Sequence, residues 1–381
     1  MTKHVPFNSP HTDGSELAAI AAAIENHHLA GNGPFTKRCQ HWLESNLGVP
    51  KALLTQSCTS ALEMAALLAG VGAGDEVILP SFTFVSTANA FVLRGVTPVF
   101  IDVTPDTLNL DPDQLSLALT PRTRAILPVH YAGRACAMDA IASFATANGL
   151  AIIEDAAQGL GSLYRGRALG SIGDAAALSF HETKNVIAGE GGALLITKPD
   201  WIARAEILWE KGTNRAAFHR GEIDKYTWVD VGSSFLPSEI TAAFLSAQLD
   251  RMPVINAERM RVWRRYHAAF ADLEADGLLT LPHDGEQGEH NAHIYFLLYP
   301  TAARLDEALR HIRQAGIDAV RHYVPLHSSP AGRKYGRAVG TMEHTDSVAG
   351  RLLRLPLWVG MSDEQIGLVI AAVRSSCGVD G

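Results

Sequence analysis

Four short, almost unbroken apolar runs constrain what this chain can fold into. They are Glu76-Val77-Ile78-Leu79-Pro80, Val99-Phe100-Ile101-Asp102, Ala125-Ile126-Leu127-Pro128-Val129 and Leu150-Ala151-Ile152-Ile153-Glu154. A strand with one wet face alternates apolar and polar residues. These runs do not alternate, so they read as strands covered on both faces. Helical stretches lie between them, from Ser60 to Ala69, Ser86 to Leu93 and Met138 to Ala147. Strands alternating with helices predict an α/β fold, with a mostly parallel sheet and helices on both sides. In such sheets ligands gather beyond the carboxyl ends of the strands.

After Leu249 the pattern changes. The sequence predicts a helix from Val254 to Leu273 and a polar, Gly-rich loop from His283 to His290. A strand (Ile294 to Tyr299), a helix (Arg304 to Ala315), a second strand (Ala319 to Val324) and a last helix (Asp363 to Ser375) follow. This reads as a smaller C-terminal α/β domain over 251–381, behind a larger domain over 1–250. The length of 381 residues fits two domains on the usual scale.

A formal net charge of -8 gives no electrostatic case for nucleic acid or an anionic membrane surface. No apolar run is long enough to span a bilayer. The start, Met1 to Asn8, lacks the apolar core of a signal peptide, and the four cysteines are scattered. The expectation is a cytoplasmic protein with reduced thiols. The 16 histidines show no HExxH motif or zinc spacing, so no metal site is expected.

Two residues carry the chemistry. Asp155 closes the run ending in Glu154 and has Gln158 one turn on; Lys184 follows 29 positions later. Ala175 to Phe180 reads as a strand entering the core, and Ala193 to Ile196 as one leaving it. A lysine on the turn between two buried strands needs a reason to be there. Desolvation lowers a lysine pKa and yields a neutral amine able to attack an aldehyde. An aspartate can hold a pyridinium nitrogen protonated. Together they indicate a pyridoxal 5'-phosphate (PLP) site, with Lys184 as the Schiff-base residue. His181, on the same turn, is a third catalytic candidate.

The phosphate needs donors. Gln56-Ser57-Cys58-Thr59-Ser60 places hydroxyls and free backbone N–H groups at a helix start, which is an anion site by geometry and equally an ordinary N-cap. Ser179 lies five residues before Lys184. Phe84 reads either as a core aromatic or as a ring that stacks on the cofactor. His327 reads as a core, surface or pocket histidine.

These pieces resemble the DegT/DnrJ/EryC1/StrS aminotransferases, a branch of the PLP enzymes of the aspartate aminotransferase-like fold (fold type I). The resemblance runs over Gly31-Asn32-Gly33-Pro34-Phe35, Ser57 to Leu62, Gly74 to Pro80, Pro98 to Asp102, Glu154 to Gln158, Ser179-Phe180 with Lys184, and Tyr323-Val324-Pro325-Leu326-His327. It implies that Lys184 carries the cofactor and moves the proton, and that Asp155 pairs the ring nitrogen. It also implies Gln158 near the ring hydroxyl, Phe84 on the ring face, and Cys58, Thr59 and Ser179 on the phosphate. Tyr323 and His327 become substrate-side candidates. Homodimers with shared active sites are implied too, with Ser234 standing where members often present an asparagine to the neighbouring subunit's phosphate. Many members have Gly at Cys58, so a strained turn is expected if that position needs a positive φ. The stretch Trp209 to Asp230 is similar to the branch that transaminates dTDP-4-keto-6-deoxyglucose at C4 with L-glutamate. On that similarity Lys211, Asn214, Arg215 and Lys225 lie near a nucleotide; each reads equally as a solvated loop residue.

Overall fold

The computed structural model describes residues 4–283 and 288–379. The middle of the polar loop expected at 283–290 lies outside the described residues. Five strands come first: β1 (Lys51–Thr55), β2 (Glu76–Pro80), β3 (Thr97–Ile101), β4 (Thr123–Ile126) and β5 (Ala151–Asp155). Then come β6 (Leu163–Tyr164), β7 (Arg167–Ala168), β8 (Ala175–Ser179), β9 (Gly192–Ile196) and β10 (Gly288–Glu289). The last are β11 (Phe296–Leu298), β12 (Val320–Arg321), β13 (Arg337–Ala338) and β14 (Leu352–Arg354).

Eight of them form the main sheet, in the order β1-β9-β8-β5-β4-β2-β3-β13. Every strand runs parallel except β9, which is antiparallel to both β1 and β8. The reason is local. Residues 180–191 close a hairpin between β8 and β9, and a short connection can only return antiparallel. The apolar runs behave as their composition requires: β2 and β9 are buried along their whole length. Leu62, Ala65, Phe91, Leu208 and Trp209 cover one face. Leu43 and Leu245, with Ile141 and Ala145, cover the other.

The second lobe packs helices Met252–Ala275, Ala302–Gln314 and Asp363–Ser376 around the antiparallel sheet β11-β14-β12. Tyr266, Phe270, Leu297, Leu305, Leu353 and Val369 are buried in its core. The strand expected from Ala319 to Val324 shortens to two residues, because its C-terminal half turns toward the cleft. Two stretches cross the expected division near residue 250. Val5 pairs with Ile317 and packs into the second lobe's core. Arg337 and Ala338 pair with Val99 and Phe100, adding an edge strand to the main sheet. Buried Glu76 ties that edge down: Arg337 Nη2 donates to Glu76 Oε2 at 2.8 Å, and Arg122 also donates to its carboxylate.

Candidate active site

The parallel strands and the β8–β9 hairpin bring the chemistry to one edge. Thr55 at the end of β1, Ser179 at the end of β8 and Gly192 at the start of β9 lie side by side in register. Beyond them opens a cavity of about 650 Å³ lined by Ser57, Cys58, Thr59, Phe84, Asp155, Gln158, Ser179, His181, Lys184 and Tyr323. Nine of these ten were expected as site residues, and Ser57 was part of the expected phosphate loop.

Lys184 sits on the hairpin turn. Its N–H donates to the His181 carbonyl at 2.9 Å, and Glu182 N–H donates to Gly189 O at 2.9 Å. The side chain is half-buried against the cavity. Burial holds its amine below the ordinary lysine range, against the opposing pull of Cys58 and Asp155. Asp155 closes β5 with its carboxylate in a fixed pose. Thr87 Oγ1 donates to Oδ2 at 2.6 Å, and Ala157 N–H donates to Oδ1 at 3.2 Å. Thr83 Oγ1 lies 2.8 Å from Thr87 Oγ1. Gln158 is fixed at both ends: its Oε1 accepts from Ala132 N–H at 2.7 Å, and its Nε2 donates to Tyr323 Oη at 3.1 Å.

The anion cradle is a helix start. Ser57 caps the helix Cys58–Leu68, its Oγ accepting from Ser60 N–H at 3.1 Å. Thr59 Oγ1 donates to Ser86 Oγ at 2.8 Å, so the starts of the helices Cys58–Leu68 and Val85–Val92 meet there. Cys58 is the first helical residue and is absent from the residues with positive φ, so the strain expected at that position does not arise. Burial pushes its thiol well up, leaving it neutral beside an anion. Gly192 packs directly beneath: a Cβ there would lie 2.4 Å from Ser57 C and 2.5 Å from Cys58 N. Phe84 is 57% exposed at the mouth, presenting a ring face.

These features fit PLP: a backbone cradle for a phosphate, a buried carboxylate for a ring nitrogen, an amine of lowered pKa and an open aromatic face. The comparisons agree. Residues 10–374 match the model of the DegT/DnrJ/EryC1/StrS aminotransferase family. The chain belongs to that family. Spore coat polysaccharide biosynthesis protein SpsC of Bacillus subtilis (strain 168) is 34% identical over 380 residues, covering 97% of this chain and 96% of that protein. The aminotransferase TlmJ from Streptoalloteichus hindustanus superposes with a TM-score of 0.91 at 30% identity, over 99% of both chains. Spr1654 from Streptococcus pneumoniae, solved in a PLP form, gives 0.89 at 26% identity, again over 99% of both. Like its relatives, this DegT/DnrJ/EryC1/StrS chain is a PLP-dependent sugar aminotransferase.

In this family member the remaining expected residues lie outside the cavity of their own chain. Ser234 bridges Glu210, and its carbonyl accepts from Gln56 Nε2 at 3.1 Å. Asn214 Oδ1 accepts from Thr227 N–H at 2.7 Å, and Arg215 reaches Glu210 at 3.5 Å. Lys211 takes a left-handed turn with φ 65°. His327 is held by Ser81 Oγ at 2.7 Å and by Asp346 at 3.5 Å. His181, by contrast, lines the cavity, its Nδ1 2.9 Å from Thr183 Oγ1 and its Nε2 3.7 Å from Glu190.

Among the cavity residues not anticipated from sequence are His293, His322 and Arg354. Asn185 Nδ2 donates to Asn256 and Asn291, so its Oδ1 must accept from His293 Nδ1 at 2.9 Å. Burial, with Lys184, Arg259 and Arg354 nearby, holds the His293 imidazole neutral. His322 Nδ1 lies 3.0 Å from Tyr131 Oη, and burial keeps it neutral as well. Arg354 alone had a signal, a cation inside the apolar stretch Leu352-Leu353-Arg354-Leu355.

Among the described residues no helix is long and apolar enough to cross a membrane.

Proposed function

We propose that this aminotransferase converts dTDP-4-keto-6-deoxy-D-glucose to dTDP-4-amino-4,6-dideoxy-D-galactose, taking its amino group from L-glutamate. It works as a cytoplasmic homodimer with shared active sites. The observation that carries the transamination is Lys184, half-buried with a depressed pKa, facing the same cavity as Asp155. The choice of C4 and of a dTDP sugar rests on the segment Trp209 to Asp230. That segment lies outside its own cavity, holds the short helix Arg215–His219, is bridged at Thr213 and Trp228, and exposes Tyr226, Trp228 and Val229. Basic and aromatic groups projecting outward suit a neighbouring subunit's nucleotide pocket.

When bound, PLP withdraws electrons from the carbon that loses its proton. The protein's own groups do the rest. Asp155, pinned by Thr87, is the carboxylate that would pair the ring nitrogen. The neutral fraction of Lys184 would hold the cofactor, and its Nζ is the base placed to carry a proton there. Gln158 and Tyr323, bonded to each other, would lie on the ring's hydroxyl side. The helix start at Ser57 to Ser60 holds the phosphate.

A panel of keto-sugar nucleotides, read by the mass and NMR of the aminated product, tests the substrate. Amination at C3, or of an inosose, would move the reading to another branch of the family. Borohydride reduction of the PLP-loaded protein should fix the cofactor on Lys184; a label on a different lysine would refute the site.

A further inference from the structure

Behind Asp155 lies a second carboxylate, outside the cavity. Glu154 precedes Asp155 on β5, and successive side chains of a strand point to opposite faces. Asp155 lines the cavity, so Glu154 points into the protein, where it is fully buried. Four N–H groups converge on it. Ile172 and Gly173 N–H each donate to Oε1 at 2.7 Å, and Gly170 N–H donates to Oε2 at 2.9 Å. The fourth is His130 Nε2, 2.8 Å from Oε2. Burial alone would raise the Glu154 pKa, but His130 and the backbone of Gly173 and Gly170 outweigh it and hold the carboxyl below its ordinary range. His130 is fully buried too, and its Nδ1 accepts from Cys136 N–H at 3.2 Å. Burial opposes a charge on this ring, while its neighbours Cys136 and Glu154 favour one. The contact at Nδ1 decides, because a proton there would face the Cys136 N–H. The ring proton therefore sits on Nε2 and is donated to Glu154.

This pair fixes the chain that follows β4, and that chain holds the site from behind. Asp155 N–H donates to Pro128 O at 2.9 Å, and Asp155 O accepts from His130 N–H at 3.2 Å. Both backbone groups of Asp155 are thus held by the residues flanking Val129. Two residues past His130, Ala132 N–H donates to Gln158 Oε1 at 2.7 Å. Tyr131 Oη lies 3.0 Å from His322 Nδ1. The turn is a strained one: Ala132 and Gly133 take left-handed φ, 58° and 77°. A non-glycine residue persists at such a φ only where its surroundings hold it, and such residues cluster at functional sites. His130 supplies the hold. Its two ring nitrogens tie the start of the turn to β5 through Glu154 and to the far end of the turn at Cys136.

We infer that His130 and Glu154 are positioning residues for transamination: the buried pair locks the turn over 128–133, and the turn sets where Asp155 and Gln158 meet the cofactor ring. Neither is among the cavity's described lining residues. Their effect passes through the backbone of Asp155 and the amide of Gln158, so it falls on the ring nitrogen and on the ring's hydroxyl side. Both half-reactions use the same ring and feel it equally. A carboxylate is needed at 154 because all its partners are donors. An amide there would turn its own N–H groups against one of them and leave a buried donor unpaired.

The inference rests on the PLP site, and on neither the sugar nor the donor of the proposed function. The test uses the full chain loaded with PLP carrying 15N in its ring. His130→Phe removes both ring nitrogens of the side chain, Glu154→Gln sets donor against donor, and His130→Gln keeps a donor toward Glu154. His130→Phe and Glu154→Gln should weaken PLP binding ~3–30-fold in titration of the apoprotein. Both should move the ring-nitrogen NMR signal toward that of an unprotonated ring, and His130→Gln should return it most of the way. In single half-reactions followed by cofactor absorbance, L-glutamate and the keto sugar should slow by the same factor, ~10–10²-fold per bound cofactor, with KM within about threefold of the parent. Thermal unfolding of the same samples reads stability separately. A lowered Tm with the parent's ring-nitrogen signal and rates would make the pair purely structural and overturn the inference. So would a loss confined to one half-reaction, which marks contact with a substrate. Gly133→Ala reaches the same turn with the pair intact, since an added Cβ would press on Asn291 Oδ1 and stand 3.0 Å from Gln158 O. It should give the same ring-nitrogen signature, and an unmoved signal there would also overturn the inference. A parent inert to L-glutamate or to the dTDP sugar would refute the proposed function and leave the ring-nitrogen signal to decide His130 and Glu154.

Discussion

Replacing Gly192 with alanine should damage cofactor binding without touching any group that contacts the cofactor. Gly192 begins β9, between Thr55 and Ser179, directly under the start of the helix Cys58–Leu68. An added Cβ would stand 2.4 Å from Ser57 C, 2.5 Å from Ser57 O and 2.5 Å from Cys58 N. All three are backbone atoms, so no side chain can rotate away. Ordinary contact requires the helix start to retreat by about 1 Å. A charge-assisted N–H···O bond stretched by that much is largely lost, and each is worth ~1.5–3 kcal/mol. Losing one such bond weakens PLP binding ~10–100-fold. Overpacking adds ~1–3 kcal/mol of destabilisation, a fall of a few degrees in Tm. The neighbouring glycine is the control. A Cβ on Gly191 meets Phe180 Cβ at 3.5 Å and Ala188 Cβ at 3.6 Å, both ordinary contacts. Titration of apoprotein with PLP, followed by absorbance, compares Gly192→Ala with Gly191→Ala. Equal affinities for the two variants would refute the cradle argument.

Asp155→Asn should keep PLP binding within ~10-fold while lowering the transamination rate ~10²–10⁴-fold, since an amide cannot hold a ring nitrogen protonated. Thr87→Val, which removes the 2.6 Å bond that orients Asp155, should lower it ~10-fold; a rate unchanged in either variant would contradict the assigned role. Glu76→Gln should lower stability by ~1–3 kcal/mol in urea unfolding, because Arg337 and Arg122 lose the charge they share. Burial alone would raise the Glu76 pKa, but hydrogen bonds from Arg337, Arg122 and Thr120 outweigh it and bring the carboxyl down to about 2, from 4.5. Its contribution is therefore full above about pH 4.5 and disappears as pH falls toward about 2. The parent should lose stability more steeply over that window than Glu76→Gln, and parallel curves would contradict the assignment.

The main sheet was legible because its signal is local. The run Glu76 to Pro80 becomes β2 without a shift at either end, and Leu150 to Glu154 becomes β5 moved by one residue. Lys184 was legible for the same reason: two apolar runs flanking a lysine describe a hairpin whatever surrounds it. Arg337 and Ala338 were not, since a two-residue edge strand has no periodicity of its own and exists only because β3 offers an open edge. Arg354 and His293 escaped on different grounds. Each lies far in sequence from Lys184 and lines the cavity only through the packing of the folded chain. Ser234, Asn214 and Arg215 show the opposite limit: the segment was singled out, but a single chain does not bring it to its own cavity.

The stretch from His4 to Asn8 sets a timetable for making this enzyme. Val5 pairs with Ile317, Pro6 O accepts from Trp358 Nε1 at 3.2 Å, Phe7 packs on Arg354, and Asn8 Nδ2 donates to Glu182 O in the Lys184 hairpin. The hairpin itself can close once residue 196 has been synthesised. Its covering segment is made before the hairpin, yet must wait for residues 317, 354 and 358 before most of its partners exist. The cavity is therefore completed only after the strand carrying residue 354 has been made, long after the hairpin that holds Lys184 can close.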